Sequence, residues 1–201
     1  MKLWSAEDSP FARRVRVYLA EKAIRIPVQD VKDGAPEKTH VWLSANPNDT
    51  LPVLEFDDGS LLPESLAIIE YFEERHPSPP MIGVEPAERA RVRALDRWAE
   101  LGVLLPVVTI VRHGHPRFEA QVRQSPDVVR AARDDLAAGT QCLETVIGTG
   151  SFMAGGDVTI ADCTLFAAFK YAEQMGVRLG SELPHLRGWF TRFIARKSAT
   201  A

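Results

Sequence analysis

Cysteine is scarce in this chain of 201 residues: only Cys142 and Cys163 occur. Two distant thiols, both inside apparent helical segments, do not make a disulfide framework. They read as reduced, packed thiols of a cytoplasmic protein. An excess of charge of one sign is also lacking. Against 27 Asp and Glu stand 24 Lys and Arg, a formal net charge of −3. That balance does not indicate a nucleic-acid or anionic-membrane partner. No apolar run approaches the length of a membrane span, and no signal-peptide pattern precedes the first strand. Internal repeats and low-complexity segments are missing too. His113-Gly114-His115 has no third ligand at a usual spacing, so it reads as a polar loop between helices and no metal is expected.

The first part of the chain alternates element types. Residues 2–4 form a strand, 11–22 a helix opened by Pro10, and 26–31 a second strand. Phe11, Val15, Tyr18 and Leu19 share one side of that helix. Residues 35–43 are a weak helix or loop. Residues 53–56 and 60–62 make a hairpin around Asp57-Asp58-Gly59, and 66–75 is a helix. This βαβ-ββα order predicts an α/β thioredoxin-like domain over residues 1–76. His76-Pro77-Ser78-Pro79-Pro80 can be neither helix nor strand, so 77–84 is read as a linker. From 85 to 201 the pattern is all-helical. Helices are expected from Pro86 to about 104 with a break near Pro106, over 126–147, over 159–174 and over 184–196. Thr159 and Asp162 have the spacing of a capping box, a structural role.

Two segments carry chemistry. In Thr50-Leu51-Pro52-Val53-Leu54 a proline stands directly before an apolar strand, where it cannot donate a ladder hydrogen bond. An X–Pro bond there can be cis, which would turn the main-chain groups of Leu51 out of the sheet toward a ligand. In Pro63-Glu64-Ser65-Leu66 a hydroxyl and unpaired N–H groups meet at a helix start, a ready anion site. Together they point to a groove for an extended, peptide-like molecule bearing a carboxylate.

With Ser9-Pro10-Phe11 ahead of them and Asn46-Pro47 and Asp58-Gly59 between, these segments resemble the glutathione S-transferase superfamily, in its bacterial serine-type branch. The resemblance covers nearly the whole chain and rests on the ordered set rather than on one motif. It implies glutathione as co-substrate and Ser9 as the catalytic residue. A thiol with a pKa near 8.5 is only a few per cent thiolate at neutral pH, roughly. A hydroxyl donating to the sulfur, with the positive end of the next helix, stabilises the anion. By itself, Ser9 is equally well an N-cap. Ser5 is a rival hydroxyl on the same loop. Trp4 lies near where tyrosine-type members carry their phenol, and an indole cannot replace it.

The resemblance also implies that Leu51 binds the cysteinyl backbone through its main chain, with Thr50 and Pro52 beside it. Ser65 and Glu64 would hold the γ-glutamyl carboxylate and ammonium, and Phe11 would line the site. Lys38 or His40 would meet the glycyl carboxylate. Glycine is frequent in the family where this chain has Asp49, so the turn before Thr50 is open to a difference. Arg13, Arg14 and Arg16 read as a solvated face with one arginine paired internally; Arg14 is the one placed to add positive potential. The electrophile pocket is expected between the domains, from Phe11, Val103, Val107 and Arg112.

The implied reaction is attack of the glutathione thiolate on a small, apolar electrophile, a detoxification chemistry, in a homodimer. Two alternatives stay open: a glutathione-dependent isomerase or dehalogenase, and a non-catalytic binding or regulatory relative. Ser9 stands where omega-like members have cysteine, which argues against mixed-disulfide chemistry.

Overall fold

The computed structural model describes every residue except 33, 35, 37–39 and 181, and the backbone alone of residues 40 and 41. Contacts divide the chain into two compact units. Met1–Met81 together with Lys197–Ala201 form one, and Ile82–Arg196 the other.

The first unit is thioredoxin-like. Its elements run β1 (Lys2–Ser5), α1 (Pro10–Glu21), β2 (Val28–Asp30), α2 (His40–Ala45), β3 (Val53–Glu55), β4 (Leu61–Pro63) and α3 (Ser65–Arg75). The sheet order is β2-β1-β3-β4. β1 pairs parallel with β2 and antiparallel with β3, and β4 closes the hairpin with Val53 opposite Pro63. Pro63 is tolerated because β4 is an edge strand, where a missing N–H leaves no ladder bond unmade. Leu3, Val53 and Leu54 from the sheet meet Val15, Tyr18, Ile68, Ile69 and Phe72 from α1 and α3 in a solvent-free core. The strand expected over 26–31 is shorter, Val28–Asp30.

The proline-rich segment after α3 belongs to this unit. Lys22, whose side chain is fully buried, donates to the carbonyls of His76 and Pro79 at 2.5 Å each and pairs with Glu73 at 2.8 Å. Glu73 also accepts from the Tyr18 hydroxyl and the Met81 N–H, both at 2.7 Å. The C-terminal residues return to α1 as well, where the Ser198 hydroxyl bonds the Glu21 carboxylate.

The second unit is all-helical: α4 (Pro86–Ala99), α5 (Leu105–Gly114), α6 (Pro126–Ile147), α7 (Ile160–Gln174) and α8 (Pro184–Ile194). α4, α6 and α8 each open on proline, whose missing N–H costs nothing in the first turn. The expected break near Pro106 does not occur. Instead Glu100–Leu104 form a π-helical turn, with Leu105 N–H bonding Glu100 O, and α5 continues past the proline. The wider turn absorbs a residue that can neither donate to nor fit beside the carbonyl four positions back. α6 crosses this turn so closely that a Cβ on Gly139 would lie 2.0 Å from Gly102 O. His113 and Gly114 lie within α5, not in a loop, and His115 Nδ1 accepts from Arg117 N–H at 3.2 Å.

α7 is the centre of this unit, with twelve of its fifteen residues buried. Asp162 is fully buried and accepts from Thr159 N and Oγ1, Met153 N and Trp189 Nε1 at 2.8–2.9 Å. Burial pushes its carboxyl above the ordinary value, against the pull of these donors. The Thr159–Asp162 capping box thus also anchors α8 through Trp189.

Candidate glutathione site in the first unit

Three loops of the first unit supply the site, and each is shaped by its sequence. The first is the β1–α1 loop. Ser9 takes extended backbone angles and caps α1, accepting from Ala12 N–H at 3.3 Å. Its hydroxyl is half-buried, and its hydrogen has no acceptor among the described residues. Ser5, the rival, is buried and accepts from Arg16 Nη1 at 2.6 Å. That bond occupies its oxygen in holding the loop.

The second is the turn ahead of β3. Asn46 is buried and brackets Thr50, donating to Thr50 O at 2.8 Å and accepting from Thr50 N–H at 3.2 Å. Asp49 sits at φ 50, the conformation a glycine would take, so the turn keeps that form despite the side chain. The Leu51–Pro52 bond is cis.

The third is the start of α3. Glu64 has φ 71 and ψ 112, a left-handed conformation that costs a non-glycine residue about 1–3 kcal/mol. Its exposed side chain makes no capping bond. Ser65 is buried, and its Oγ accepts from Arg14 Nε at 2.8 Å.

The turn ahead of β3 and the start of α3 converge, with Phe11 of α1, on one cavity of about 170 Å³, lined by Phe11, Thr50, Leu51, Pro52, Glu64 and Ser65. The lining mixes an aromatic face, exposed main chain before a proline and the unpaired N–H groups of a helix start. An acidic carboxylate stands at the same end. Such a set can pair the backbone of a peptide and receive a carboxylate.

Ser9 is not among the lining residues; it stands two positions before Phe11, at the head of α1. Lys38 lies outside the described residues, as does the side chain of His40. Val103 and Val107, in the second unit, are 0% exposed, and Arg112 is exposed.

Arg14 is the residue that sequence reasoning undervalued. The arginine run is not a solvated face: Arg13 and Arg14 are 8% and 2% exposed. Arg14 bonds Ser65 from behind the cavity and lies 5.7 Å from the centroid of the Phe11 ring, so its charge stands beside two of the lining residues. The signal was the position of Arg14 one turn below the helix cap. Its partner lies 51 residues away and is set by the fold.

Comparison with known proteins agrees with this geometry. Residues 3–80 match the glutathione S-transferase N-terminal domain and residues 107–197 the glutathione S-transferase C-terminal domain. The chain is 30% identical over 203 residues to glutathione S-transferase 2 of Saccharomyces cerevisiae, covering 98% of this chain and 87% of that one. It is 33% identical over 187 residues to maleylacetoacetate isomerase of Pseudomonas aeruginosa, covering 89% and 84%. The crystal structure of Gtt2 from Saccharomyces cerevisiae superposes with a TM-score of 0.88 at 30% identity, over 100% of this chain and 99% of that one. With both domain families matched in order and full-length relatives at this identity, the chain belongs to the glutathione S-transferase family.

Proposed function

We propose that this protein is a glutathione transferase that activates the thiol of glutathione as thiolate for attack on a small electrophile. The observation that carries the reading is the single cavity shared by Phe11, Thr50, Leu51, Pro52, Glu64 and Ser65. In this reading the Leu51 main chain pairs with the cysteinyl backbone of glutathione. Ser65 Oγ, already accepting from Arg14, keeps its own hydrogen to donate to the γ-glutamyl carboxylate. The N–H groups opening α3 face the same carboxylate, and Glu64 takes the ammonium. Ser9 donates to the sulfur.

Glu64 and Ser65 hold glutathione equally before and during the reaction. Replacing either by alanine should therefore raise the KM for glutathione more than it lowers kcat. Steady-state kinetics with a broad electrophile panel, paired with calorimetric titration of glutathione, tests this. A fall in kcat at unchanged KM contradicts the assigned roles.

An isomerase is the second reading, favoured by the 33% identity to maleylacetoacetate isomerase. It uses the same thiolate and the same cavity. Turnover of a maleyl substrate in preference to the electrophile panel separates the two. Detoxification in the cytoplasm is the corresponding biological role, with a small apolar electrophile as the second substrate; Val103 and Val107, which are 0% exposed, are not available to line its pocket.

A homodimer is part of the same proposal. From the sequence, the helices from Leu66 and Pro86 offer Ile69 and Phe72 with Arg89 and Arg93 as a mixed interface, but Ile69 and Phe72 are buried within the chain and cannot supply its apolar centre. Trp98 at 48% and Leu101 at 51% exposure, one helical turn apart, offer that chemistry instead. Light scattering at micromolar concentration should give twice the chain mass. A monomer mass that does not change on concentrating contradicts it.

A further inference from the structure

Asp49 occupies a position that L-residues visit at a cost, yet it begins the segment that presents Thr50 and Leu51 to the cavity. Its side chain is held. Trp42 Nε1 donates to Asp49 Oδ1 at 2.9 Å. Trp42 itself is only 4% exposed. Its ring meets Trp4 edge-on, with centroids 6.2 Å apart, and Trp4 Nε1 donates to Glu55 Oε2 of β3 at 2.6 Å. The place of the Trp42 indole is thus set by the sheet, through β1 and β3. From there its N–H reaches the exposed turn, whose backbone Asp49 N–H also bonds Asn46 O at 2.9 Å.

We propose that Trp42 is a positioning residue for glutathione: its indole N–H holds Asp49 in the left-handed conformation and so fixes where Thr50 and Leu51 meet the tripeptide. The inference rests on the glutathione reading of the cavity. Trp42 is not among the residues lining that cavity and acts through Asp49. A glycine at position 49 would need no such support, because it adopts positive φ freely. The Trp42–Asp49 pair therefore does in this chain what a glycine does without a partner.

The test uses the full chain and four variants. Asp49 is exposed, so Asp49→Ala and Asp49→Gly leave the core intact. Trp42→Phe keeps the ring packing and removes the N–H. The fourth variant combines Trp42→Phe with Asp49→Gly. Two readouts are taken: the kinetic constants for glutathione, and amide hydrogen exchange at residues 49–51 in the unliganded protein. Asp49→Ala and Trp42→Phe should raise the KM about three- to tenfold, the worth of one hydrogen bond, with kcat within about twofold. Exchange at the turn should quicken by a similar factor. Asp49→Gly and the combined variant should stay within about twofold of the parent on both readouts.

Parent-like KM in both Asp49→Ala and Trp42→Phe overturns the proposal. So does failure of glycine to restore Trp42→Phe, or exchange at residues 49–51 that is the same in Asp49→Ala and Trp42→Phe as in a parent that binds glutathione. A parent that binds no glutathione overturns the functional reading itself, and this inference with it.

Discussion

Ser9→Ala is expected to lose most turnover, about 10²–10³ in kcat, while binding glutathione within a few-fold of the parent. The reason lies in which species the hydroxyl serves. Its oxygen is engaged as the cap of α1 through Ala12 N–H, and its hydrogen is the part with no acceptor among the described residues. A donor of this kind gains little from a neutral thiol and much from a thiolate, so its removal acts on the reacting state. Lowering the thiol pKa by about two units corresponds to roughly 2.7 kcal/mol. One charge-assisted hydrogen bond and the head of α1 are sufficient to supply it. Ser5→Ala is the control. Ser5 Oγ accepts from Arg16, which also donates to the carbonyls of Ala6 and Glu7. Its loss should loosen the loop without a change in the pH dependence of kcat. Equal activity of parent and Ser9→Ala across pH 6 to 8, where roughly this deprotonation shows, removes Ser9 from the mechanism.

The second large effect is on stability. Lys22→Met is expected to destabilise the first unit by about 3–5 kcal/mol, because it strands a buried carboxylate. Glu73 would lose its cation while still accepting from the Tyr18 hydroxyl and the Met81 N–H, and the carbonyls of His76 and Pro79 would lose their shared donor. Both side chains of the pair are almost wholly out of water, 0% and 3% exposed, so solvent cannot replace the lost partner. Replacing Lys22 by Met and Glu73 by Leu together should cost less than the sum of the single changes, since no charge is then left alone. Urea denaturation followed by far-ultraviolet circular dichroism and by tryptophan fluorescence reads the effect. A shift in Lys22→Met as small as that of an exposed lysine change contradicts the account of the pair.

Much of the fold was readable where a local signal and a non-local demand agreed. α6 begins at Pro126 and ends where Gly148 takes φ 46, so its bounds are those the sequence implied. The capping box marked the start of α7 to within one residue: the helix expected over 159–174 is Ile160–Gln174, with Thr159 as its N-cap. At Pro106 the local signal misled. Proline spoke for a break, but the close crossing at Gly102 and Gly139 holds the chain on one axis, and a π-helical turn absorbs the misfit. The cavity was readable in outline because Pro52 and the Glu64-Ser65 pair are backbone signals carried by neighbouring residues. Arg14 was not, since burying an arginine depends on a partner that only the folded chain provides. The same holds for Trp42 and Asp49, whose pairing turns an unfavourable residue into a held one.

The most direct measurement is the titration of glutathione bound to the purified protein, followed by the ultraviolet absorbance of its thiolate. The account predicts a bound thiol that ionises well below the ordinary value of about 8.5, and a titration that returns toward that value in Ser9→Ala. Bound glutathione that titrates at the ordinary value in the parent, or no binding at all, would contradict it.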